Sequence, residues 1–399
     1  MTVDEPGSNP AVPTSDTPWW STPTQSKNTF STGFISQHDF ASDQKHPSSR
    51  TSVSFIFALV MALVAGVLGS FIGAQFSTHS SAKIVTTNSA IERAPNSVAG
   101  IAARVSPSVV SVAVDSSSGS DTGSGFFIAS NGYILTNNHV IESAVTDNGT
   151  ITVSLENGKN YPATIVGRDQ AYDLAVLKIN VVGALALTLG NSDRVQVGDA
   201  VIAVGSPLGL SGTVTSGIIS AKNRPVTTGS GTGENSFINA LQTDAAVNPG
   251  NSGGPLVDST GAVIGVNSAI ASLGASLGSQ SGSIGLGFAI PINQAKKTAD
   301  QLIKTGTSTH PIMGISLDSR FTGTGAKIAD TPAAILSGGP AAKAGLKPGD
   351  IIIEFQGKPV SNSDELIVGV RSLNVGDVVT VKYLRGTVTA EAKLTLIAK

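Results

Sequence analysis

The chain of 399 residues contains no cysteine. That absence excludes disulfide bonds, thiolate zinc sites, iron–sulfur clusters and a cysteine nucleophile. Histidine is also scarce, with five in the whole chain, so chemistry through imidazole has few possible locations. With so few candidate ligands, we expect no metal site and no cofactor.

Charged residues are few as well, at 13% of the chain, about half of the usual share of ~25%. The net charge is −2, and no basic cluster of the kind that nucleic acid requires is present. Hydrophobic residues reach 40% with few aromatics, and the 45 glycines follow no G-X-Y period, so they indicate tight turns. The composition favours a β-rich chain without a nucleic-acid partner, and the length predicts two to three folded units.

One long hydrophobic run follows a polar N-terminal region. Residues 1–50 are rich in Ser, Thr, Pro and Asp, which predicts disorder. Thr51 to Ala82 contain no Lys, Arg, Asp or Glu, and the apolar centre is long enough to span a bilayer. We predict a transmembrane helix over 51–76. A cleaved signal peptide and a buried core helix are the alternatives, but the preceding region and the run are long for a signal peptide.

Basic residues around this run indicate its orientation. Lys45, His46 and Arg50 precede it, whereas Lys83 and Arg93 follow. The positive-inside rule therefore predicts that residues 1–50 are a cytoplasmic tail. It also predicts that the polar linker 77–100, and everything after it, lies outside the cytoplasm at the cell membrane.

From residue 101 the pattern changes to short β-branched runs separated by Gly, Asn, Asp and Ser. Examples are SVVSVAV, GYILTNN, LAVLKI and AVIAVG, and their spacing favours antiparallel barrels or sandwiches. Two Gly/Ser-rich segments, 226–236 and 271–283, are predicted to be surface loops beside a site. AKKTADQLIKTG predicts a helix that ends at Gly306.

Candidate catalytic residues are few in this β-rich region. From residue 101 onward the histidines are His139 and His310, and His139 directly follows the apolar run GYIL, which places it at a strand end. Ser252 lies in NPGNSGGPL, where flanking glycines permit the backbone geometry that an exposed nucleophile needs. A structural histidine and an incidental turn serine are the alternative interpretations of each motif taken alone.

A serine nucleophile with a histidine base also needs an acid to orient the imidazole. Asp173, at the start of the predicted alternating strand YDLAVLKI, is the preferred candidate. Asp169, Asp199 and Asp244 remain alternatives.

The motifs together resemble those of the HtrA/Deg family of serine proteases. They are GSGFFI (123–128), TNNHV (136–140), YDLAVLKI (172–179), GSPLGL (205–210), TVTSGIIS (213–220), QTDAAVNPGNSGGPL (242–256) and GLGFAIP (285–291). The resemblance covers about residues 101–399. It implies a mostly β fold, with a trypsin-like double six-stranded β-barrel over 101–306 and a PDZ domain over 307–399.

The resemblance also implies roles for individual residues. It makes His139 the general base, Asp173 the orienting acid and Ser252 the nucleophile. The turn Gly250-Asn251-Ser252 would form the oxyanion hole, with the N–H groups of Gly250 and Ser252 as donors.

Asn251 departs from the digestive trypsin-like enzymes, which have an aspartate just before the serine. A neutral amide cannot form the ion pair that a newly cut N-terminal amine makes with that aspartate. We therefore expect activation by loop rearrangement or ligand binding, without N-terminal cleavage.

The segment VNSAIAS (266–272) resembles the family's primary specificity pocket. Asn267, Ser268, Ala269 and Ile270 would line it. None of these residues is acidic, so we predict cleavage after small or medium aliphatic residues such as Val and Ala.

The C-terminal region carries GGPAAKAGLKPGDIIIEFQGKPV (338–360), which resembles the PDZ signature. Ile312, Met313, Gly314 and Ile315 match the family's carboxylate-binding loop, so peptide C-termini are the expected partners. Asn362 is predicted to cap the following helix, and Glu365 to reach back to it.

The combined expectation is a membrane-anchored, extracytoplasmic serine endopeptidase that degrades unfolded or damaged proteins under PDZ regulation. One alternative is regulated cleavage of a single signalling or envelope protein. Another is a non-catalytic chaperone or PDZ scaffold. The resemblance implies a homotrimer or higher oligomer, although the short connection TDNGT lacks the long insertion of some family members.

Overall fold

The computed structural model describes residues 52–76, 93–206, 212–228, 236–269 and 285–399. The chain divides into two units, residues 1–88 and 89–399. The first contains helix α1, Ser52–Phe76, whose segment Phe55–Ile72 has a mean hydropathy of 2.6. By length and composition this helix is long and apolar enough to cross a membrane. The predicted tail 1–50 lies outside the described residues, as does most of the predicted linker.

The second unit contains nineteen strands and five further helices in the part of the chain that is described. The strands are β1 Val109–Ser116, β2 Gly119–Ala129, β3 Tyr133–Thr136, β4 Thr150–Ser154, β5 Asn160–Asp169, β6 Leu174–Lys178, β7 Ala200–Gly205, β8 Thr213–Thr228, β9 Ser236–Thr243, β10 Pro255–Asp258, β11 Val263–Ser268, β12 Gly287–Pro291, β13 Pro311–Ile312, β14 Ala326–Lys327, β15 Ile351–Phe355, β16 Lys358–Pro359, β17 Val378–Arg385, β18 Val388–Thr395 and β19 Ile397–Ala398. The helices are α2 Val98–Val105, α3 Glu142–Thr146, α4 Ile292–Thr305, α5 Pro340–Lys343 and α6 Ser363–Arg371.

Strands β1 to β12 form two closed barrels of six strands each, which confirms the predicted double barrel. The first has the order β1-β2-β3-β6-β5-β4, and the second β10-β11-β12-β9-β8-β7. The predicted loop 226–236 is partly strand, because β8 runs to Thr228 and β9 begins at Ser236. The predicted loop 271–283 lies outside the described residues.

Helix α4 packs across both barrels. It ends at Gly306, whose φ of +76° provides the predicted left-handed cap, and it begins at Ile292, earlier than predicted. Strand β6 is buried along Leu174–Leu177, so the predicted alternation was wrong. Leu174 and Val176 belong to the same buried cluster as α4, whereas Ala175 and Leu177 fill the first barrel. A strand covered on both faces reads as a continuous apolar run.

Helix α2 precedes the first barrel. It begins at Val98, before the predicted domain start at residue 101. The Ser97 hydroxyl accepts a hydrogen bond from the Gly100 N–H at 3.1 Å, an N-cap that satisfies one free donor of the first turn.

Strands β13 to β19 and helices α5 and α6 form the PDZ fold, with its own core around Ile352, Val379 and Val381. Asn362 caps α6 as predicted, because its side-chain oxygen accepts the Glu365 N–H at 2.9 Å. The Glu365 carboxylate instead accepts the Ser361 N–H at 2.7 Å, so the predicted return contact to Asn362 was wrong by one residue.

Candidate active site

Neighbouring strands of the first barrel bring His139 and Asp173 together. Strand β3 ends at Thr136, three residues before His139, and β6 begins at Leu174, directly after Asp173. The two strands pair antiparallel with Thr136 opposite Ala175, so the residues beyond their ends meet at one barrel rim.

His139 and Asp173 form a hydrogen-bonded pair. The His139 ring donates from Nδ1 to the Asp173 carboxylate, at 2.8 Å to Oδ2 and 3.0 Å to Oδ1. The His139 main-chain N–H donates to Oδ1 at 3.0 Å, which orients the carboxylate further. The Asp173 side chain is buried and the imidazole is partly exposed. In this tautomer Nε2 carries the free lone pair and can accept a proton.

The alternative acids make other contacts. Asp199 accepts the Gln196 N–H and Asp244 accepts the Ile218 N–H. Asp169 pairs with His310 at 2.9 Å. Asp169, one of the alternative acids, therefore pairs with His310, the alternative base, and not with His139.

The pKa of His139 lies above its usual value. Burial of the ring lowers that pKa, but the negative charge of Asp173 and its hydrogen bond to Nδ1 outweigh burial. Glu142 and Asp121 raise the pKa of His139 further through their charges. The pair therefore stabilises a protonated imidazole, as a general base requires after it takes a proton.

Asp173 has a φ of +53°, in the left-handed region that non-glycine residues seldom adopt. Such a conformation costs about 1–3 kcal/mol and persists only where the surroundings impose it. The Asp173 N–H donates to the Gln170 carbonyl at 3.2 Å, and the fully buried Asn137 donates from Nδ2 to the Asp173 carbonyl at 2.8 Å. Asn137 was missed from the sequence, although it lies in the TNNHV motif.

Ser252 lies in the second barrel, in the turn before β10, and is buried. The flanking glycines have left-handed φ values, +99° at Gly250 and +84° at Gly253. A Cβ at Gly253 would lie 2.1 Å from the Ser124 carbonyl oxygen, so no side chain fits there. The two glycines therefore permit a turn that other residues would disrupt.

Ser124 of the GSGFFI motif connects the first barrel to this turn. Its hydroxyl donates to the Gly250 carbonyl at 2.5 Å and accepts the Ser206 N–H at 2.8 Å. Its N–H donates to the Ser252 carbonyl at 2.8 Å. Ser124 was not predicted as a site residue, and the motif in which it lies was its only signal.

The main-chain N–H groups of the turn differ in their partners. Asn251 donates its N–H to the Asn248 carbonyl at 2.9 Å, so that group is already used. Within the described ranges, the N–H groups of Gly250 and Ser252 donate to no protein acceptor. They have the availability that the predicted oxyanion donors need. The buried Asn251 amide donates to the Ala246 carbonyl at 3.3 Å.

The Ser252 hydroxyl oxygen accepts a hydrogen bond from the Ala269 N–H at 3.0 Å. In the part of the chain that the structure describes, no hydrogen bond joins Ser252 to His139. Proton transfer from Ser252 to His139 therefore needs a hydrogen bond that this arrangement does not contain.

The four predicted specificity residues differ in their contacts. Ala269 donates its main-chain N–H to the Ser252 hydroxyl oxygen, as described above. Asn267 donates its amide to the carbonyls of Val204 and Pro255, so its side chain braces the second barrel. Ser268 is buried, and its hydroxyl has no partner among the described residues. Ile270 lies outside the described residues.

The PDZ fold has a groove of about 1000 Å³ between helix α6 and the strand-like segment that follows residue 312. Gly314, Ser316 and Asp318 bond inward to the PDZ fold. The N–H groups of Met313, Ile315 and Leu317 donate to no acceptor within the described ranges. The segment therefore presents an open strand edge to the groove, the geometry that an added peptide strand requires. This edge contains most of the predicted loop 312–315.

Sequence comparisons match these two parts of the chain to known families. The trypsin-like peptidase domain matches residues 123–266, and the PDZ domain matches residues 311–396. The structure resembles the HtrA-type protease AlgW with tripeptide, at a TM-score of 0.57 and 33% identity, over 76% of this chain and 97% of AlgW. The chain belongs to the HtrA/Deg family of serine proteases.

Other HtrA/Deg relatives support the same assignment. The serine endoprotease from Yersinia pestis is 35% identical with a TM-score of 0.53, over 77% of this chain and all of that structure. Serine protease PepD of Mycobacterium tuberculosis is 45% identical over 72% of this chain and 63% of PepD. A probable periplasmic serine endoprotease DegP-like of Chlamydia trachomatis is 42% identical over 69% of this chain and 53% of that protein. The chain thus spans about half to two thirds of these two curated relatives.

Proposed function

We propose that this chain is a serine endopeptidase in which Ser252 is the nucleophile, His139 the general base and Asp173 the orienting acid. The hydrogen-bonded His139–Asp173 pair carries this proposal, because it holds an imidazole with a raised pKa at the barrel rim. The available N–H groups of Gly250 and Ser252 support the predicted oxyanion hole.

The mechanism follows from these groups. The Ser252 Oγ attacks a peptide carbonyl carbon while His139 Nε2 takes the hydroxyl proton. The carbonyl oxygen becomes an oxyanion, which accepts hydrogen bonds from Gly250 and Ser252. His139 then gives its proton to the leaving amine, and the C–N bond breaks to leave an ester on Ser252. Water, deprotonated by His139, hydrolyses that ester and releases the second product.

The substrates we propose are unfolded or damaged proteins outside the cytoplasm. An extended chain fits a site flanked by strand β11 and is accessible only where structure is lost. Ser268 and Ala269 are small and uncharged, which supports cleavage after Val or Ala. Cleavage of one dedicated signalling protein uses the same site and is the second candidate.

Localisation is part of the same proposal. Helix α1 anchors the chain in the cell membrane with residues 1–50 on the cytoplasmic side. The apolar segment Phe55–Ile72 and the periplasmic description of the Chlamydia relative support this arrangement. We propose a homotrimer or higher oligomer, as is usual in the family.

The PDZ groove binds peptide C-termini in this proposal. The open edge at Met313 and Ile315 supports binding by strand addition, and AlgW is described with a tripeptide. Binding there biases the protease between inactive and active states, consistent with Asn251 in place of an activating aspartate.

The test is proteolysis of reduced casein by the purified chain, with cleavage sites mapped by mass spectrometry. We expect cleavage after Val and Ala, and a loss of about 10⁶ in rate for Ser252→Ala. Ser130→Ala, an exposed serine on the first barrel, is the matched control and should retain the rate. Unchanged proteolysis by Ser252→Ala would exclude the mechanism, and preferred cleavage after Arg would exclude the specificity.

A further inference from the structure

The turn that carries Asp173 is contacted by residues beyond the protease barrels. We call residues 169–173 the aspartate turn. The Asp169 carboxylate is buried and accepts the Tyr172 N–H at 3.1 Å within this turn. The same carboxylate accepts hydrogen bonds from His310 Nε2 at 2.9 Å and from the Ser308 hydroxyl. Ser308 and His310 lie between helix α4 and the PDZ fold, so this segment is attached directly to the turn.

Helix α6 of the PDZ fold makes a second contact. The Tyr172 hydroxyl donates to the Arg371 carbonyl at 2.8 Å, and Arg371 Nη1 donates to the Ala171 carbonyl at 3.2 Å. Phe237 also donates its N–H to Ala171, and the Arg371 guanidinium lies 4.8 Å from the centre of the Phe237 ring. The Tyr172 ring packs against His310 with 4.8 Å between ring centres. Three of the five turn residues are thus held from the PDZ side.

These contacts matter because Asp173 has a left-handed backbone, with φ of +53°. A strained residue keeps its conformation only where its neighbours impose it. Asn137 and Gln170 hold Asp173 from the barrel side. The Asp169 carboxylate accepts the main-chain N–H of Tyr172, the residue before Asp173. The position of that carboxylate depends in turn on its hydrogen bonds from Ser308 and His310.

We propose that Asp169 is a positioning residue for Asp173, and that Ser308, His310 and Arg371 complete the support of the catalytic aspartate from the PDZ side. This inference rests on the proposed function. In this proposal the PDZ fold helps to orient His139, because its contacts help to position Asp173. This role is separate from any role in peptide binding.

The electrostatics favour the ionised form of Asp169. Burial raises the pKa of Asp169, but hydrogen bonds and charge from His310, with bonds from Ser308 and Tyr172, lower that pKa below its usual value. An ionised carboxylate accepts several hydrogen bonds at once, so it can hold His310 and Tyr172 together.

The test compares variants of the full chain on a short peptide with a C-terminal chromogenic amide, which presents no free carboxylate to the PDZ groove. His310→Leu removes the donor to Asp169. We expect kcat to fall roughly tenfold with KM within about twofold, because a loosened Asp173 misorients the base without touching substrate binding. His310→Gln keeps an N–H donor and should recover most of kcat.

The pH profile separates positioning from general destabilisation. A displaced Asp173 raises the pKa of His139 less, so the acid limb of kcat/KM should move to lower pH in His310→Leu. Tyr172→Phe, which loses only the bond to Arg371, should show a smaller change in the same direction. If His310→Leu fails to fold, Tyr172→Phe carries the test through this shift, and His310→Gln is the conservative variant whose acid limb should stay near that of the wild type.

Lys297→Met is the matched control. Lys297 donates to Asn374 at 2.7 Å and also joins the barrels to the PDZ fold, but it does not bond to the aspartate turn. Its kcat should stay at the wild-type value. An unchanged or higher kcat in His310→Leu, an unmoved acid limb, or an equal loss in Lys297→Met would overturn the proposal. Labelling of Ser252 by a fluorophosphonate in the wild type tests the proposed function separately.

Discussion

Oδ2 of Asp173 lies 2.8 Å from Nδ1 of His139, and Oδ1 of the same carboxylate accepts the His139 main-chain N–H at 3.0 Å. The carboxylate therefore sets both the tautomer and the orientation of the imidazole. Asp199 and Asp244 accept hydrogen bonds from Gln196 and Ile218, and Asp169 accepts one from His310, so none of the three pairs with His139.

Replacing this carboxylate by an amide should stop the reaction without unfolding the chain. In Asp173→Asn, the side-chain N–H₂ can face Nδ1 only as a donor, which favours the wrong tautomer. We expect kcat to fall about 10⁴-fold with little change in KM. Steady-state kinetics on a peptide amide measure this, with circular dichroism as the folding control. Retention of more than a tenth of kcat would show that Asp173 does not orient the base.

Asn137 should be needed for both activity and stability. Asn137→Leu removes the donor to the Asp173 carbonyl and leaves that buried group unpaired. We expect about 1–3 kcal/mol less stability and a fall in kcat larger than any change in KM. Urea denaturation and kinetics give the two numbers. Asn131→Ala, an exposed asparagine on the same barrel, should match the wild type in both, and an equal loss there would remove the argument for Asn137.

Ser124 should hold the Gly250 carbonyl and thereby the turn Gly250-Asn251-Ser252, the proposed oxyanion hole. Ser124→Ala loses the bonds to Gly250 and Ser206, so the N–H groups of Gly250 and Ser252 become less well oriented. We expect kcat to fall about 10–100-fold with KM nearly unchanged. The matched variant is Ser120→Ala, an exposed serine of strand β2, which should keep wild-type kcat. A loss confined to KM in Ser124→Ala would contradict this role.

The activity should decline on the acid side at an unusually high pH. His139, the proposed base, must be neutral to accept the Ser252 proton, and its pKa lies above the ordinary value of 6.5. As the pH falls through this raised pKa, His139 is protonated and kcat/KM falls. A pH profile of kcat/KM measures the acid limb. A limb below pH 6.5 in the wild type would contradict the electrostatic effect assigned to Asp173.

Much of the site could be predicted because local motifs place its residues at strand ends. GYILTNNHV and YDLAVLKI lead into or out of strands that pair, so His139 and Asp173 meet once the first barrel closes. The glycines around Ser252 similarly predict a turn that excludes side chains. The Gly306 and Asn362 caps depend only on neighbouring residues and were confirmed.

The supporting contacts could not be predicted, because the motifs do not indicate which of their side chains bond to one another across the fold. Asn137 reaches Asp173 across paired strands, and Ser124 reaches Gly250 across the two barrels. The pairing of Asp169 with His310 depends on how the PDZ fold packs against the first barrel. Burial of strand β6 on both faces likewise depends on helix α4, which no local pattern reveals.

The most direct test of the account is whether Ser252 and His139 act as one unit. The measurement is the rate of peptide-amide hydrolysis for Ser252→Ala, His139→Ala and the double variant. If His139 serves only to activate Ser252, the double variant should be no slower than either single variant, since residues of one catalytic unit are strongly non-additive. Losses that multiply in the double variant would show independent roles and contradict the proposed mechanism.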